Sequence, residues 1–586
     1  MKHDTPSLTA GGALLARLKT IGVDYIFANS GTDFPPIIEG LAEAAAKSVP
    51  LPQALVMPHE GAAMGMAHGY YLATGKSQVV MAHTNVGLAN CAIGAINAAV
   101  ENVPVLLISG RTPTTEQGRF GARTVPIGWG QEMRDQTALV REASKWDYEL
   151  RFPEQVGELA DRAYAVANST PKGPVYVALP REVLCEAYAG PEVARPLSMQ
   201  PARIGADQRQ MDDLAERIAT AAFPVIFAQH GAGNAEAFAA LSALVERWAI
   251  PVCQYWAVQL ALPTDHAMHA GANPKDLLEQ ADLVIVLDSL APWSQQVHVL
   301  QDDAVVVHIG PDPLKARTPI RNFRSDVSIV SELPDAILAL GEALAAREVS
   351  PQVERRRAEI VQKNVQIRQA ALSRAETGRD GVMSADYVAK TVSDAIAGRN
   401  AVLLSERGCP MSAMTLGHQQ AWYQEPHAGG LGWSFPAALG MQLADRERLV
   451  VASMGDGSYM FANPVACHQI AEALELPLLV LIMNNNEWAA VRHSVTDIYP
   501  DGYASKANQM PLTALSPSPD FVQVARASRA FAAKVNTAED LADALPLALS
   551  HIAEKRGLAL LDITMRNEKE EEAPCPNAPA MNSGKT

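Results

Sequence analysis

One short stretch sets a carboxylate between two glycines, Gly455-Asp456-Gly457-Ser458, and Asn484-Asn485 begins 26 residues after Ser458. Each motif follows an apolar run, Leu449–Ala452 and Leu478–Met483, that reads as a buried strand. Both therefore stand at the carboxyl ends of strands, where open α/β sheets bind ligands. The residue types suit a metal-bridged diphosphate. Magnesium takes hard oxygen ligands in near-octahedral geometry, commonly a carboxylate or two plus phosphate oxygens. Asp456 supplies a carboxylate, Asn485 an amide oxygen, and Glu487 in the next turn a backbone carbonyl. Gly455 and Gly457 let the backbone approach phosphate, and Ser458 offers a hydroxyl at the start of a helix. A lone Gly-Asp-Gly is most often a turn. The pairing with Asn-Asn, each after an apolar strand, is what points to a ligand.

Two further stretches have chemical potential. Met57-Pro58-His59-Glu60-Gly61 opens an apolar helix that runs to Ala73-Thr74-Gly75-Lys76. A carboxylate there would be desolvated, which raises its pKa and suits it to passing protons. The alternative is a plain interaction of Glu60 with the helix dipole. Gly429-Gly430-Leu431-Gly432 precedes the helical stretch Pro436–Leu443.

Gly-Asp-Gly, some two dozen residues and Asn-Asn, with the Glu60 helix and the Gly-Gly-Leu-Gly segment, resembles the thiamine-diphosphate-dependent family of acetolactate synthase, benzoylformate decarboxylase, pyruvate decarboxylase and 2-hydroxyacyl-CoA lyase. The resemblance spans roughly residues 8–566. It implies that Asp456, Asn485 and the Glu487 carbonyl hold Mg2+, with Gly457 and Ser458 at the diphosphate of thiamine diphosphate. It implies that Glu60 hydrogen-bonds the aminopyrimidine ring and helps it act as an internal base. The Gly429 carbonyl would receive the ring's amino group, and Leu431 would wedge the cofactor into a bent shape. In relatives the pyrimidine and diphosphate sites come from different subunits. A homodimer or homotetramer with active sites at the dimer interface is therefore expected.

The substrate side is less specified. His83 follows the strand Val79–Met81, where several decarboxylases of the family carry a catalytic histidine. It reads either as an acid–base group or as a packed histidine at a strand end. Asn90 and Gly87 match family positions in the same loop, and Asn29-Ser30-Gly31-Thr32-Asp33 matches an early loop facing the site. Thr32 and Asp33 are the candidates there, with Gln131, Trp488 and Arg492 elsewhere. Arg492 reads either as a partner for a substrate carboxylate or as a solvated helix-face arginine. Gly130 precedes Gln131 where acetolactate synthases carry phenylalanine, which leaves the synthase's second-substrate pocket in doubt. Gly231-Ala232-Gly233 lacks the full dinucleotide fingerprint, so the pair of glycines reads as structural and FAD as absent.

These residues need a scaffold. Short apolar runs alternate with helical stretches along 586 residues, too many for a single core. The pattern predicts α/β architecture: three domains, each a mainly parallel sheet with flanking helices. They are a pyrimidine-binding domain at 1–188, a central Rossmann-like domain at 202–345 and a diphosphate-binding domain at 375–566. Residues 567–586 are acidic and then rich in Pro and Asn, and read as a tail that is disordered or a flap over a site. The net charge of −16 argues against nucleic acid as a partner. Six scattered cysteines form no CxxC pair, and no apolar run reaches the length of a membrane span, so a cytoplasmic protein is expected. The expected activity is cleavage or formation of a carbon–carbon bond on a 2-oxo acid, by decarboxylation or acetolactate-synthase-like carboligation. A 2-hydroxyacyl-CoA lyase and a non-catalytic cofactor-binding subunit are the alternatives.

Overall fold

The computed structural model describes residues 8–507 and 509–566; the tail reading for 567–586 lies outside them. Three sheets are built in succession. From edge to edge the first runs Gln53–Val56, Tyr25–Ala28, Val79–Ala82, Leu106–Arg111, Val175–Pro180 and Asp147–Glu149. The second runs Val327–Val330, Val305–Gly310, Leu283–Leu287, Pro224–Ala228 and Val252–Cys253. The third runs Trp422–Gln424, Ala401–Glu406, Leu449–Gly455, Leu478–Asn484, Ala559–Thr564 and Phe531–Val535. Strand pairing is parallel in all three. The expectation of three parallel-sheet α/β domains therefore holds.

The sequences of the central strands explain this. Leu-Val-Ile-Val-Leu at 283–287 and Leu-Leu-Val-Leu-Ile-Met-Asn at 478–484 are buried along their whole length. Strands without a polar face must be covered by helices on both sides, the arrangement of parallel sheets. Helix Pro351–Thr377 links the second and third sheets and docks through Arg356, whose buried guanidinium donates to the carbonyls of Ala249, Ala221, Ala222 and Trp248. No helix of the described residues is long and apolar enough to cross a membrane.

The contact that positions the site joins the first and third domains. Helix Glu60–Thr74 packs along helix Ser434–Ala444. Their glycines let the two backbones touch. A Cβ on Gly69 would stand 1.8 Å from the Ala437 carbonyl oxygen, and one on Gly440 would stand 2.0 Å from that of Met66.

Candidate active site

The third sheet sets up the first half of the site. Strand Leu449–Gly455 ends in helix Asp456–Phe461, and strand Leu478–Asn484 ends beside it. The two strands are neighbours, with Gly455 opposite Met483, so the Gly-Asp-Gly and Asn-Asn turns emerge side by side. Asp456 is 2% exposed, and its Oδ2 is buried with no hydrogen-bond partner. Burial pushes its carboxyl up to about 6, against the backbone N–H groups of Gly457 and Asn486 that favour the charged form. A buried carboxylate oxygen without a donor is the seat a cation fills. Asn485 lies next to it; its side-chain oxygen accepts the Glu487 N–H at 3.1 Å. Asn484 is anchored instead, donating to Asp562 at 3.0 Å.

Trp488 covers Gly457. A Cβ on that glycine would lie 2.2 Å from the indole ring, so only glycine fits under it. The ring meets Phe461 edge-on, with centroids 5.8 Å apart. Arg492 is buried, and its Nε donates to both oxygens of the Glu487 carboxylate at 2.9 and 3.1 Å. As placed, its guanidinium is committed to Glu487 rather than turned to a substrate. It fixes the turn whose carbonyl was assigned to the metal.

The turn Gly429–Gly432 is held from two sides. Buried Glu406 accepts the N–H groups of Gly432 at 2.6 Å and Ser434 at 2.7 Å. Asn97 of the first domain exchanges a pair of hydrogen bonds with the Gly430 backbone, at 2.8 and 3.1 Å. Gly429 is exposed with a positive φ of 67°. Leu431 borders a cavity of about 270 Å³ together with His59, Gly61, Asn90 and Phe461.

The first sheet supplies the second half. Glu60 is the first residue of its helix and is 6% exposed. Asn90 donates to it at 3.0 Å. His83 caps the strand Val79–Ala82 and is gripped at both nitrogens. Nδ1 bonds the buried carboxylate of Asp33, and Nε2 faces the Gln131 amide nitrogen at 2.9 Å. The hydrogen bond to Asp33 raises the His83 pKa, helped by the charge of Glu60 and opposed by burial. Asp33 is itself fixed by the Thr84 N–H at 3.2 Å. Thr32 and Gln131 line one small recess with Asp33, and the Thr32 carbonyl accepts from Arg181 at 3.1 Å.

The sequence-derived residues thus gather in two groups: Glu60, His83, Thr32 and Gln131 on the first sheet, and Gly429, Leu431, Asp456, Gly457, Ser458, Asn485, Glu487, Trp488 and Arg492 on the third. Three supporting residues had gone unassigned, Glu406, Asn97 and Asp562, and the candidate Asp33 had not been seen as the partner of His83. Only the last had a signal, its place in the Asn-Ser-Gly-Thr-Asp loop. In the central domain, Gly233 packs on Pro334 and Gly231 on the Leu260 carbonyl, which accounts for both glycines by packing.

Comparison with known proteins follows the same division. Residues 8–139 match the thiamine pyrophosphate enzyme N-terminal TPP binding domain, 211–340 the central domain, and 408–563 the C-terminal TPP binding domain. The chain is 28% identical over 540 residues to a Pseudomonas aeruginosa protein named "Probable 2-ketoarginine decarboxylase", covering 89% of this chain and 88% of that one. It is 26% identical over 569 residues to acetolactate synthase of Mycobacterium bovis, covering 92% and 85%. Among solved structures, it superposes on the thiamine diphosphate-dependent 4-hydroxybenzoylformate decarboxylase of Rhodococcus jostii RHA1 with a TM-score of 0.77 at 23% identity, over 95% of this chain and 99% of that one. Benzoylformate decarboxylase from Polynucleobacter necessarius gives 0.75 at 21% identity, over 96% and 99%.

Proposed function

Because this chain belongs to the thiamine pyrophosphate enzyme family, we propose that it is a Mg2+-dependent decarboxylase of a 2-oxo acid in which His83 handles the product proton. The observation that carries this choice is the Asp33–His83–Gln131 arrangement. An imidazole held at Nδ1 by Asp33 beside the pyrimidine half of the site can carry a proton on Nε2 once the Gln131 amide turns its oxygen toward it, and can pass that proton to carbon. A carboligase needs that carbon left free for a second carbonyl.

Bound thiamine diphosphate supplies the electron sink for breaking the bond between a carbonyl carbon and its carboxylate. The chain provides the rest. Asp456, Asn485 and the Glu487 carbonyl would hold Mg2+, and the unpartnered Asp456 oxygen fits that role. Gly457 and Ser458 would face the diphosphate, with Trp488 keeping water off that turn. Glu60, oriented by Asn90, would pass the proton at the pyrimidine ring. The Gly429 carbonyl and Leu431 would set the ring's orientation.

For the same reading we propose a homodimer, or a pair of them. Within one chain no hydrogen bond among the described residues links Glu60 and Asn90 to the Asp456–Asn485 group. Val86, Ile93 and Ile96 follow helical spacing on Thr84–Val100 and stand exposed, as do Phe461 and Val465 beside the Gly-Asp-Gly turn. A second copy that covers these side chains would bring each half of the site against the other half of its neighbour.

The test incubates the full chain with thiamine diphosphate, Mg2+ and a panel of pyruvate, benzoylformate, a guanidino 2-oxo acid and a 2-hydroxyacyl-CoA, followed by NMR. The guanidino acid enters because of the Pseudomonas relative's name. Release of an aldehyde from one of them is expected. A hydroxy ketone as the main product would replace the decarboxylase by a carboligase. Cleavage of 2-hydroxyacyl-CoA alone would replace it by a lyase. No proton exchange at the cofactor's C2 would leave only a binding subunit.

A further inference from the structure

All three domains meet at one buried node outside the site described above. Glu101 ends the helix Thr84–Val100, His230 follows strand Pro224–Ala228, and His427 precedes the Gly429–Gly432 turn. Glu101 Oε2 lies 2.7 Å from His230 Nε2, and Oε1 lies 3.5 Å from His427 Nδ1. The side chains are 7%, 13% and 12% exposed, and one donor atom from each falls within 4.8 Å of the others.

The remaining ring nitrogens are already spoken for. His230 Nδ1 bonds the Asp288 carbonyl, and His427 Nε2 lies 2.8 Å from the Trp256 carbonyl. As placed, His230 Nε2–H donates to Glu101 at 2.7 Å, and the other Glu101 oxygen accepts the His427 backbone N–H at 2.8 Å, so a metal ion would displace the His230 proton and take the lone pair it leaves. His427 Nδ1 is buried there with no hydrogen-bond partner. A second nitrogen fixed on a backbone carbonyl is the usual support of a metal-bound histidine.

We propose that Glu101, His230 and His427 bind one Zn2+ ion that ties the three domains together. Zinc takes imidazole nitrogen and carboxylate oxygen at about 2.0–2.2 Å in a tetrahedron, which sets its ligand atoms about 3.3 Å apart. The 3.5 and 2.7 Å separations belong to the two different Glu101 oxygens, so the carboxylate must turn to set one oxygen about 3.3 Å from both nitrogens. A fourth ligand has room. Glu101 and His230 border a cavity of about 830 Å³ at the domain junction, which gives an ion its entry path and a water its place. Lys315 pairs with Asp288 at 2.5 Å, so the carboxylate behind His230 has its own counter-charge.

The test uses the full chain with thiamine diphosphate and saturating Mg2+, so that the diphosphate site is occupied. After chelation, dialysis against Zn2+ and removal of excess, metal analysis should find one zinc per chain. His427→Ala should bind it more than ~100-fold more weakly, beyond the loss typical of a removed supporting residue, with the circular dichroism spectrum unchanged. Co2+ in the wild-type chain should give intense tetrahedral bands without a thiolate charge-transfer band. The proposal is overturned if the wild type retains no zinc, if His427→Ala retains it equally, or if Co2+ reports cysteine sulfur. In the first case the three side chains act as a proton-linked ion pair alone.

Discussion

Replacing Asp456 by Asn should stabilise the chain without ligands and destabilise it with them. The carboxylate is 2% exposed, and burial moves its carboxyl from 3.8 to about 6. Holding it ionised in the free protein at pH 7 therefore costs up to roughly 3 kcal/mol, at about 1.4 kcal/mol per pH unit of displacement. Asparagine keeps an oxygen for the Gly457 and Asn486 N–H groups and carries no charge. The ligand-free variant should thus be more stable at pH 7, by about 1–3 kcal/mol once local relaxation is allowed. The folded pKa lies above the unfolded one, so the penalty is full above about 6 and fades as pH falls toward 3.8. The advantage of the variant should shrink between pH 7 and pH 5. With Mg2+ and thiamine diphosphate the order should reverse, because the wild type gains the linkage stabilisation of a bound ligand and the variant does not. Urea unfolding followed by a third-domain signal, with and without ligands at both pH values, reads all three effects. Equal loss of stability under both conditions, or an equal ligand-induced gain, would refute this account of Asp456.

Glu60→Gln should bind cofactor nearly normally yet slow C2 proton exchange by about 10²–10⁴-fold, the range of a lost general acid–base group; NMR exchange with titration by cofactor fluorescence quenching separates the two. Asp33→Asn should lower the pKa of His83, because its hydrogen bond is the main cause of the rise. If His83 acts as the acid, the alkaline limb of the pH–kcat profile should move to lower pH, and an unmoved limb would remove His83 from the proton path. Gly457→Ala should drive Trp488 from its seat and weaken cofactor binding more than overall stability, as measured by the dissociation constant beside the unfolding midpoint. Gly69→Ala should cost at least about 1–3 kcal/mol, since the added carbon meets a backbone oxygen rather than a yielding side chain.

The cofactor half of the site was legible because its chemistry is local. Strand, glycine, carboxylate and the second strand's asparagines occupy two short segments, and neighbouring strands bring them together. What was missed depends on contacts between distant segments. Nothing near Glu406 in the chain announces that it will receive the Gly432 and Ser434 N–H groups, and Asn97 reaches Gly430 across 333 positions. The partner of Arg492 was hidden for a subtler reason. Glu487 lies five residues back, outside the helical spacing at which ion pairs are sought, because the chain turns at Trp488 before helix Ala489–Ile498 begins. His83 reads two ways in the sequence because the residues on its two nitrogens, Asp33 and Gln131, lie 50 and 48 positions away. The central domain offered the least, since its glycines serve packing and its histidine matters only beside residues from both other domains.

The glycine-lined crossing of Glu60–Thr74 and Ser434–Ala444 has a mechanical consequence. With backbone against backbone and no flexible side chains between, the two helices move as a single lever. Glu60 opens one helix, and the turn that bears Leu431 leads into the other. In the proposed dimer these two residues serve different active centres, so a displacement of Glu60 at one centre would be felt at Leu431 of the other. Turnover at the two centres would then be coupled, and a substitution that softens the crossing would let each keep its own time.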